Sequence, residues 1–263
     1  MLATWLDTNS WLLEMGGKRL LVDPWLVGPL VFGNQGWLFK GVRPHPMAMP
    51  ENIDLIVLSQ GLEDHAHPAT LEALDKSIPV VGSENAAQVA EKLGFHQVTA
   101  LSHGERHVFA DSIEVQAVPG APIGPTVLEN GYILREQATG LSLFYEPHGF
   151  HAESLKQAGP VDVVITPVLD IMLPLVGPVL RGQQGAMELV EWLQPQVVLP
   201  TAGAGEVEYQ GLLVSILKTA GGPQQLQGEL QAKGISTRVL EPQVGVTLEL
   251  PLSEPSASSA TAA

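Results

Sequence analysis

The stretch Ile53 to Pro68, IDLIVLSQGLEDHAHP, constrains the fold more than any other part of the chain. Ile53 to Ser59 carries Ile, Leu and Val almost without a break, the pattern of a strand covered on both faces. Pro68 suits the first turn of a helix, where its missing N–H costs nothing. Between them lies a short polar loop, Gln60-Gly61-Leu62-Glu63-Asp64-His65-Ala66-His67. A buried strand that passes to a helix through Asp, Glu and His presents those side chains from a rigid edge. A dense group of metal ligands is held well by such an edge.

The rest of the chain supplies partners for that strand. Strands are predicted at 2–6, 10–15 and 19–22, with Gly16-Gly17 as a hairpin turn between the last two. Further strands are expected at 79–81, 98–101, 107–109, 113–118, 132–135, 141–145, 161–166, 197–199, 236–240 and 244–250. Helices are expected at 68–74, from Ser83 to Leu93 with Gly94 as the stop, and at 184–193, 207–219 and 223–233. Several strands are joined by hairpin-length loops. That favours two packed sheets with helices outside, an α+β architecture, over a doubly wound parallel sheet. Residues 1–250 read as one domain, and 251–263, rich in Ser, Ala and Pro, as a disordered tail.

Composition narrows the chemistry. The chain has no cysteine, so any metal site must be built from His, Asp, Glu, backbone or water. Its formal net charge of −15, with only 13 Lys and Arg among 263 residues, argues against nonspecific binding to nucleic acid. The N-terminus lacks the basic, apolar and small-residue regions of a signal peptide. No run approaches the roughly 18 apolar residues of a transmembrane segment. A cytoplasmic protein is the expectation. Ser10, Ser59 and Ser102 sit in no Gly-x-Ser-x-Gly elbow. The glycine loops 120–124 and 202–205 lack phosphate-binding spacing. The segments Trp25 to Met49 and Val168 to Leu180 are apolar but broken by Gly and Pro. They read as long loops that wall a pocket for a small-molecule substrate, or offer an apolar patch to a protein partner or membrane.

Read together, these segments resemble the metallo-β-lactamase superfamily. Its four-layer αββα sandwich carries His-x-His-x-Asp-His after a buried strand. Here Gln60 and Leu62 stand at the first two histidines, and Asp64-His65 keeps the Asp-His pair. WLDTNSWLLEMGGKRLLVDPWLVGP resembles the opening hairpins of the lactonase-like branch, with Asp7-Thr8 in place of Gly-His and Asp23 at a structural aspartate. Val118-Pro119-Gly120 leads to Ala121-Pro122 where a histidine is usual, and Thr201 follows Leu199-Pro200 in place of the last histidine. FYEPHG lies where the bridging aspartate belongs, a turn shared with a divergent cyanobacterial and plant subgroup.

The resemblance implies a two-metal scaffold. The three-histidine position has no histidine left and is expected to be empty, because Leu62 cannot ligate and a neutral glutamine is a poor zinc ligand. The remaining candidates are Asp64, His65, His148 and Glu146, which allow at most one zinc, manganese or iron ion. Asp64, Glu146 and His148 are the candidate catalytic residues, acting on an ester, lactone or phosphoester. Simpler roles stand beside these: Asp64 as a helix cap, His65 as a buried hydrogen-bonding histidine, His67 facing solvent, His151 opening a surface helix, and Asp170 a weak pocket candidate. The rival reading is a catalytically inactive relative that binds a ligand or protein through the loops around Trp37 and Leu173.

Overall fold

The structure, a computed structural model, describes residues 1–123, 127–203 and 205–253. Two seven-stranded sheets face each other. The first runs Thr247–Glu249, Leu2–Trp5, Trp11–Met15, Lys18–Val22, Leu55–Leu58, Val80–Gly82, Val98–Ala100. The second runs Arg238–Val239, Val197–Pro200, Val163–Thr166, Ser142–Tyr145, Val127–Glu136, Ile113–Ile123, Arg106–Phe109. In the first hairpin Met15 pairs with Lys18 across Gly16 and Gly17, whose φ angles are 57° and 69°. A two-residue turn with both φ positive matches the twist of its strands, and glycine adopts it without strain.

The alternation of side chains along each strand explains the layering. Leu55 and Val57 point into the cluster between the sheets, with Leu13, Val115, Leu134 and Ile165. Ile56 and Leu58 point the other way, onto Leu71 of the helix Pro68–Ala73 and Ala86 and Ala90 of Glu84–Lys92. Val164 and Val198 of the second sheet meet Leu189 and Leu193 of Gly182–Leu193 and Leu226 and Leu230 of Pro223–Ala232. These are the four layers of an αββα sandwich. The apolar runs are continuous because both faces of each central strand are covered.

The structure departs from the sequence reading around three segments. Residues 207–219 do not form one helix: Glu208–Gln210 is a strand, Leu212–Ile216 a short helix, and Lys218–Gly221 another strand. Gly211, at φ 113°, breaks the helix, and both strands find partners far away in sequence. Those partners lie in the two segments read as loops. Lys40–Val42 pairs with Leu30–Val31 and Glu208–Gln210, and Leu169–Leu173 with Gly177–Leu180 and Lys218–Gly221. Pairing between segments this distant leaves no local periodicity to read. Pro251 and Ser253 are hydrogen-bonded to Arg238 and Gln196, and residues 254–263 of the expected tail lie outside the described residues.

Candidate active site

The loops that follow Leu55–Leu58 and Ser142–Tyr145 meet at one edge of the sandwich, where the rings of His65 and His148 lie 5.1 Å apart. Asp23 is the anchor beneath them. It follows the strand Lys18–Val22, has φ 42°, and is fully buried. Its Oδ1 accepts from the Ser59 amide at 2.7 Å, and its Oδ2 from the Ser59 hydroxyl at 2.5 Å and the Tyr145 hydroxyl at 2.6 Å. The same Oδ2 lies 2.7 Å from Nδ1 of the buried His65. This fixes the ring and turns Nε2 outward, 3.1 Å from Asp64 Oδ2.

That contact sets an electrostatic condition. A neutral His65 with its proton on Nδ1 points a lone pair at a carboxylate oxygen. Only a positive charge makes the pair favourable, either a second proton on the ring or a cation between the two groups. Burial pulls the His65 pKa down, but the carboxylates of Asp64 and Asp23 outweigh it and hold it well above the ordinary value. Burial pushes Asp64 up, and the charge and hydrogen bond of His65 reverse this. Asp64 Oδ1 is buried with no hydrogen-bond partner, which is costly for a charged oxygen unless something else satisfies it.

His148 is held in the same manner by a residue that sequence reasoning missed. Its Nδ1 lies 2.7 Å from Oε1 of Glu129, a fully buried carboxylate on Val127–Glu136. The neighbouring strand bulges between Pro119 and Pro122, and the Ala121 amide reaches Glu129 Oε1 at 3.1 Å. Gly120 leaves the room: a Cβ there would lie 2.8 Å from Glu129 Cγ. Gln60 Nε2 donates to Glu129 Oε2 at 3.0 Å. Burial pushes Glu129 up to about 7, against the pull of His148, and Glu129 in turn raises the pKa of His148. The one sequence signal was a charged residue inside an otherwise apolar strand pattern.

Glu146 sits beside this cluster with a different task. Its oxygens accept the backbone amides of His148, Gly149 and Phe150, so the side chain ties the turn that presents His148. Burial pushes its pKa up, but the neighbouring His151 and Glu129 side chains and the charge of His148 outweigh that and lower it. Asp64, His65 and His148 each offer a ligand atom within 4.8 Å of the others, and so do Glu129, Glu146 and His148.

Other residues fall elsewhere than expected. His67, not Asp64, caps the helix Pro68–Ala73, and it is buried, not facing solvent. The His151 side chain is fully buried against Trp192 and donates toward the Gly185 carbonyl, because Glu146 and the following helix close over it. Asp170 accepts the Gln183 amide at the start of a helix. Leu62 is exposed. Thr201 donates to the Thr8 carbonyl at 3.0 Å and accepts from Trp11, and Asp7 takes the amides of Gly205, Glu206 and Val207. No helix among the described residues is long and apolar enough to cross a membrane.

The buried charges fix how stability should respond to pH. His65, His148 and Glu129 all have pKa values raised by folding, so the stability each contributes is present at low pH and lost as pH rises through its folded value. For Glu129 that loss spans roughly pH 4.5 to 7, and for the histidines it begins near 6.5. Asp64 and Glu146 are lowered, so their contribution is lost only in stronger acid. Chelator-treated protein is therefore expected to melt about 5 °C higher at pH 5.5 than at pH 8, as read by calorimetry. A Tm that rises steadily to pH 8 contradicts this.

The two-sheet sandwich gathers the Asp64-His65 pair and His148 at one strand edge. Residues 3–202 match the β-lactamase superfamily domain family, and the chain belongs to it. It is 22% identical over 204 residues to a UPF0173 metal-dependent hydrolase of Pyrobaculum arsenaticum, covering 74% of this chain and 81% of that protein. Among solved structures it is similar to the isothiocyanate hydrolase from Delia radicum gut bacteria, with TM-score 0.67 and 17% identity over 95% of this chain and 99% of that one. It is also similar to Igni18, a metallo hydrolase from Ignicoccus hospitalis, with TM-score 0.65 and 17% identity over 95% and 98%. At that identity the structural likeness concerns the fold.

Proposed function

We propose that this protein is a hydrolase whose site holds one divalent cation, with zinc the best fit, between Asp64, His65 and His148. The observation that carries the reading is the doubled anchoring. Each imidazole has its Nδ1 on a buried carboxylate, Asp23 for His65 and Glu129 for His148. Carboxylate–histidine pairs of this kind orient metal ligands and raise their basicity. The unpartnered Asp64 Oδ1 and the Asp64–His65 contact supply the demand for positive charge. Three protein ligands with a fourth position open to water are the pattern of a catalytic zinc site.

When bound, such a cation lowers the pKa of a water and polarises an ester, lactone or phosphoester oxygen. The remaining work belongs to the protein. Asp23 and Glu129 hold the two rings, Glu146 holds the turn, and Asp64, only partly covered, accepts a proton from water as general base. The sequence reading placed Glu146 among the ligands and catalytic groups. We assign it to the turn, since its oxygens already take three amides.

Protein purified without chelator is expected to carry about one equivalent of zinc, manganese or iron, and His65→Ala and His148→Ala less than about a tenth. Full metal content in both variants contradicts the site. An absence of metal in every protein, with none gained on soaking, favours the inactive binding module instead. For that alternative the exposed apolar side chains of Trp37, Leu175 and Val176 provide the surface, whereas Leu173 is partly covered.

A further inference from the structure

We propose that Asn9 is a substrate-positioning residue: its buried carboxamide takes a hydrogen-bond donor, an N–H or O–H, that the substrate carries next to the bond to be hydrolysed. This rests on the function proposed above and narrows the class of substrate for the same site.

Asn9 lies in the turn between the strands Leu2–Trp5 and Trp11–Met15. It is 6% exposed, and its Nδ2 lies 3.4 Å from Nε2 of His65, the nitrogen that faces Asp64. That distance is at the long end of the hydrogen-bond range, so the contact is weak. The carbonyl end, Oδ1, is buried and has no hydrogen-bond partner. The two ends of a carboxamide stand roughly 2.3 Å apart, so Oδ1 lies within roughly 6 Å of His65 Nε2. A buried acceptor left unmet is costly, and a ligand that donates to it removes the cost.

The turn does not need this side chain to hold its shape. Asp7 and Thr8 have φ angles of 78° and 49°, unusual outside glycine and most of all for a β-branched threonine. Other atoms hold them there. The Asp7 carboxylate takes the amides of Thr8, Gly205, Glu206 and Val207. The Thr8 carbonyl takes the Ala202 amide, the Thr201 hydroxyl and the Trp5 indole N–H. The Asn9 carbonyl of the backbone takes the Tyr145 hydroxyl at 3.1 Å. None of these bonds uses the Asn9 carboxamide or the Thr8 hydroxyl, and Thr8 Oγ1 is also buried without a partner. Two adjacent residues thus leave polar atoms unmet on a strained turn that is otherwise tied down, as in a ligand clamp.

The chemistry of the ligand follows from the two ends of the amide. With a cation on its Nε2, His65 no longer offers the lone pair that Asn9 Nδ2 now meets. Both ends of the carboxamide are then free, one a donor and one an acceptor. An ester, lactone or phosphoester oxygen flanked by an N–H or O–H presents the matching pair. A site that hydrogen-bonds such a group discriminates strongly against the analogue that lacks it.

Zinc-loaded, full-length protein is titrated with N-acetylglycinate and with N-acetylsarcosinate, in which a methyl group replaces the amide hydrogen. Isothermal calorimetry reads the affinity of each probe, and metal analysis reads the zinc in every sample. N-acetylglycinate is expected to bind about 10-fold or more tightly than its methylated analogue. Asn9→Leu, which keeps the shape of the side chain, should bring the two probes to within about twofold with zinc content unchanged, and Asn9→Ala should do the same without the bulk of leucine. Equal binding of the two probes by the parent, no binding of either, or a preference that survives in both variants overturns the inference. So does loss of zinc in both variants, which would make Asn9 part of the metal site. Zinc uptake without the preference leaves the function proposed above standing, whereas a parent that takes no zinc sinks both.

Discussion

Asp23→Ala is expected to produce the largest loss of stability of any single substitution at the site, about 3 to 5 kcal/mol. The carboxylate is fully buried and receives the Ser59 amide, the Ser59 hydroxyl, the Tyr145 hydroxyl and His65 Nδ1. Alanine leaves these groups unsatisfied between two sheets and leaves a charged His65 beside Asp64 alone. Chemical denaturation should show the midpoint falling with an unchanged slope. Asp23→Asn should recover part of the stability, since an amide oxygen still accepts. It should not recover metal affinity, which is expected to stay 10- to 100-fold below the parent, because a neutral amide no longer supports the imidazole. Parent-like stability in Asp23→Ala removes Asp23 from its place as the anchor.

Gly149→Ala comes second, and it acts through the backbone. Gly149 has φ 77°, and a methyl there would run into the carbonyl of Arg181, whose amide is bonded to the His148 carbonyl. Gly185 packs on the other side, against the Gly149 carbonyl. The turn has no direction in which to give. The Glu146 cradle and the position of His148 depend on that turn, so the substitution should displace both. A cost of at least 2 to 3 kcal/mol is expected, with loss of bound metal even where the chain still folds. Circular dichroism melts and metal analysis on the same preparation separate the two effects. Parent-like melting and metal content would show that the turn is not held as described.

Much of this architecture is legible in the chain. The two-sheet sandwich follows from continuous apolar strands and hairpin-length loops. Asp64, His65 and His148 are legible as candidates because such residues stand where buried strands end, and the fold brings them together. Glu129 is not legible. Whether a glutamate in VLENGYIL faces solvent or the core depends on register, and the bulge between Pro119 and Pro122 sets that register. Glu146 shows a different limit. The residue type is visible, but its three amide partners come from the turn geometry, which sequence does not display. The strands around Gly211 were hidden for a third reason, since each is stabilised by a segment far along the chain.

X-ray absorption at the zinc edge of the zinc-loaded protein tests the central claim most directly. Two imidazole nitrogens at about 2.0 Å and oxygen ligands near 2.0–2.2 Å are expected, with one imidazole lost in His148→Ala. A zinc shell with no imidazole, or one unchanged by substituting either histidine, would contradict the site.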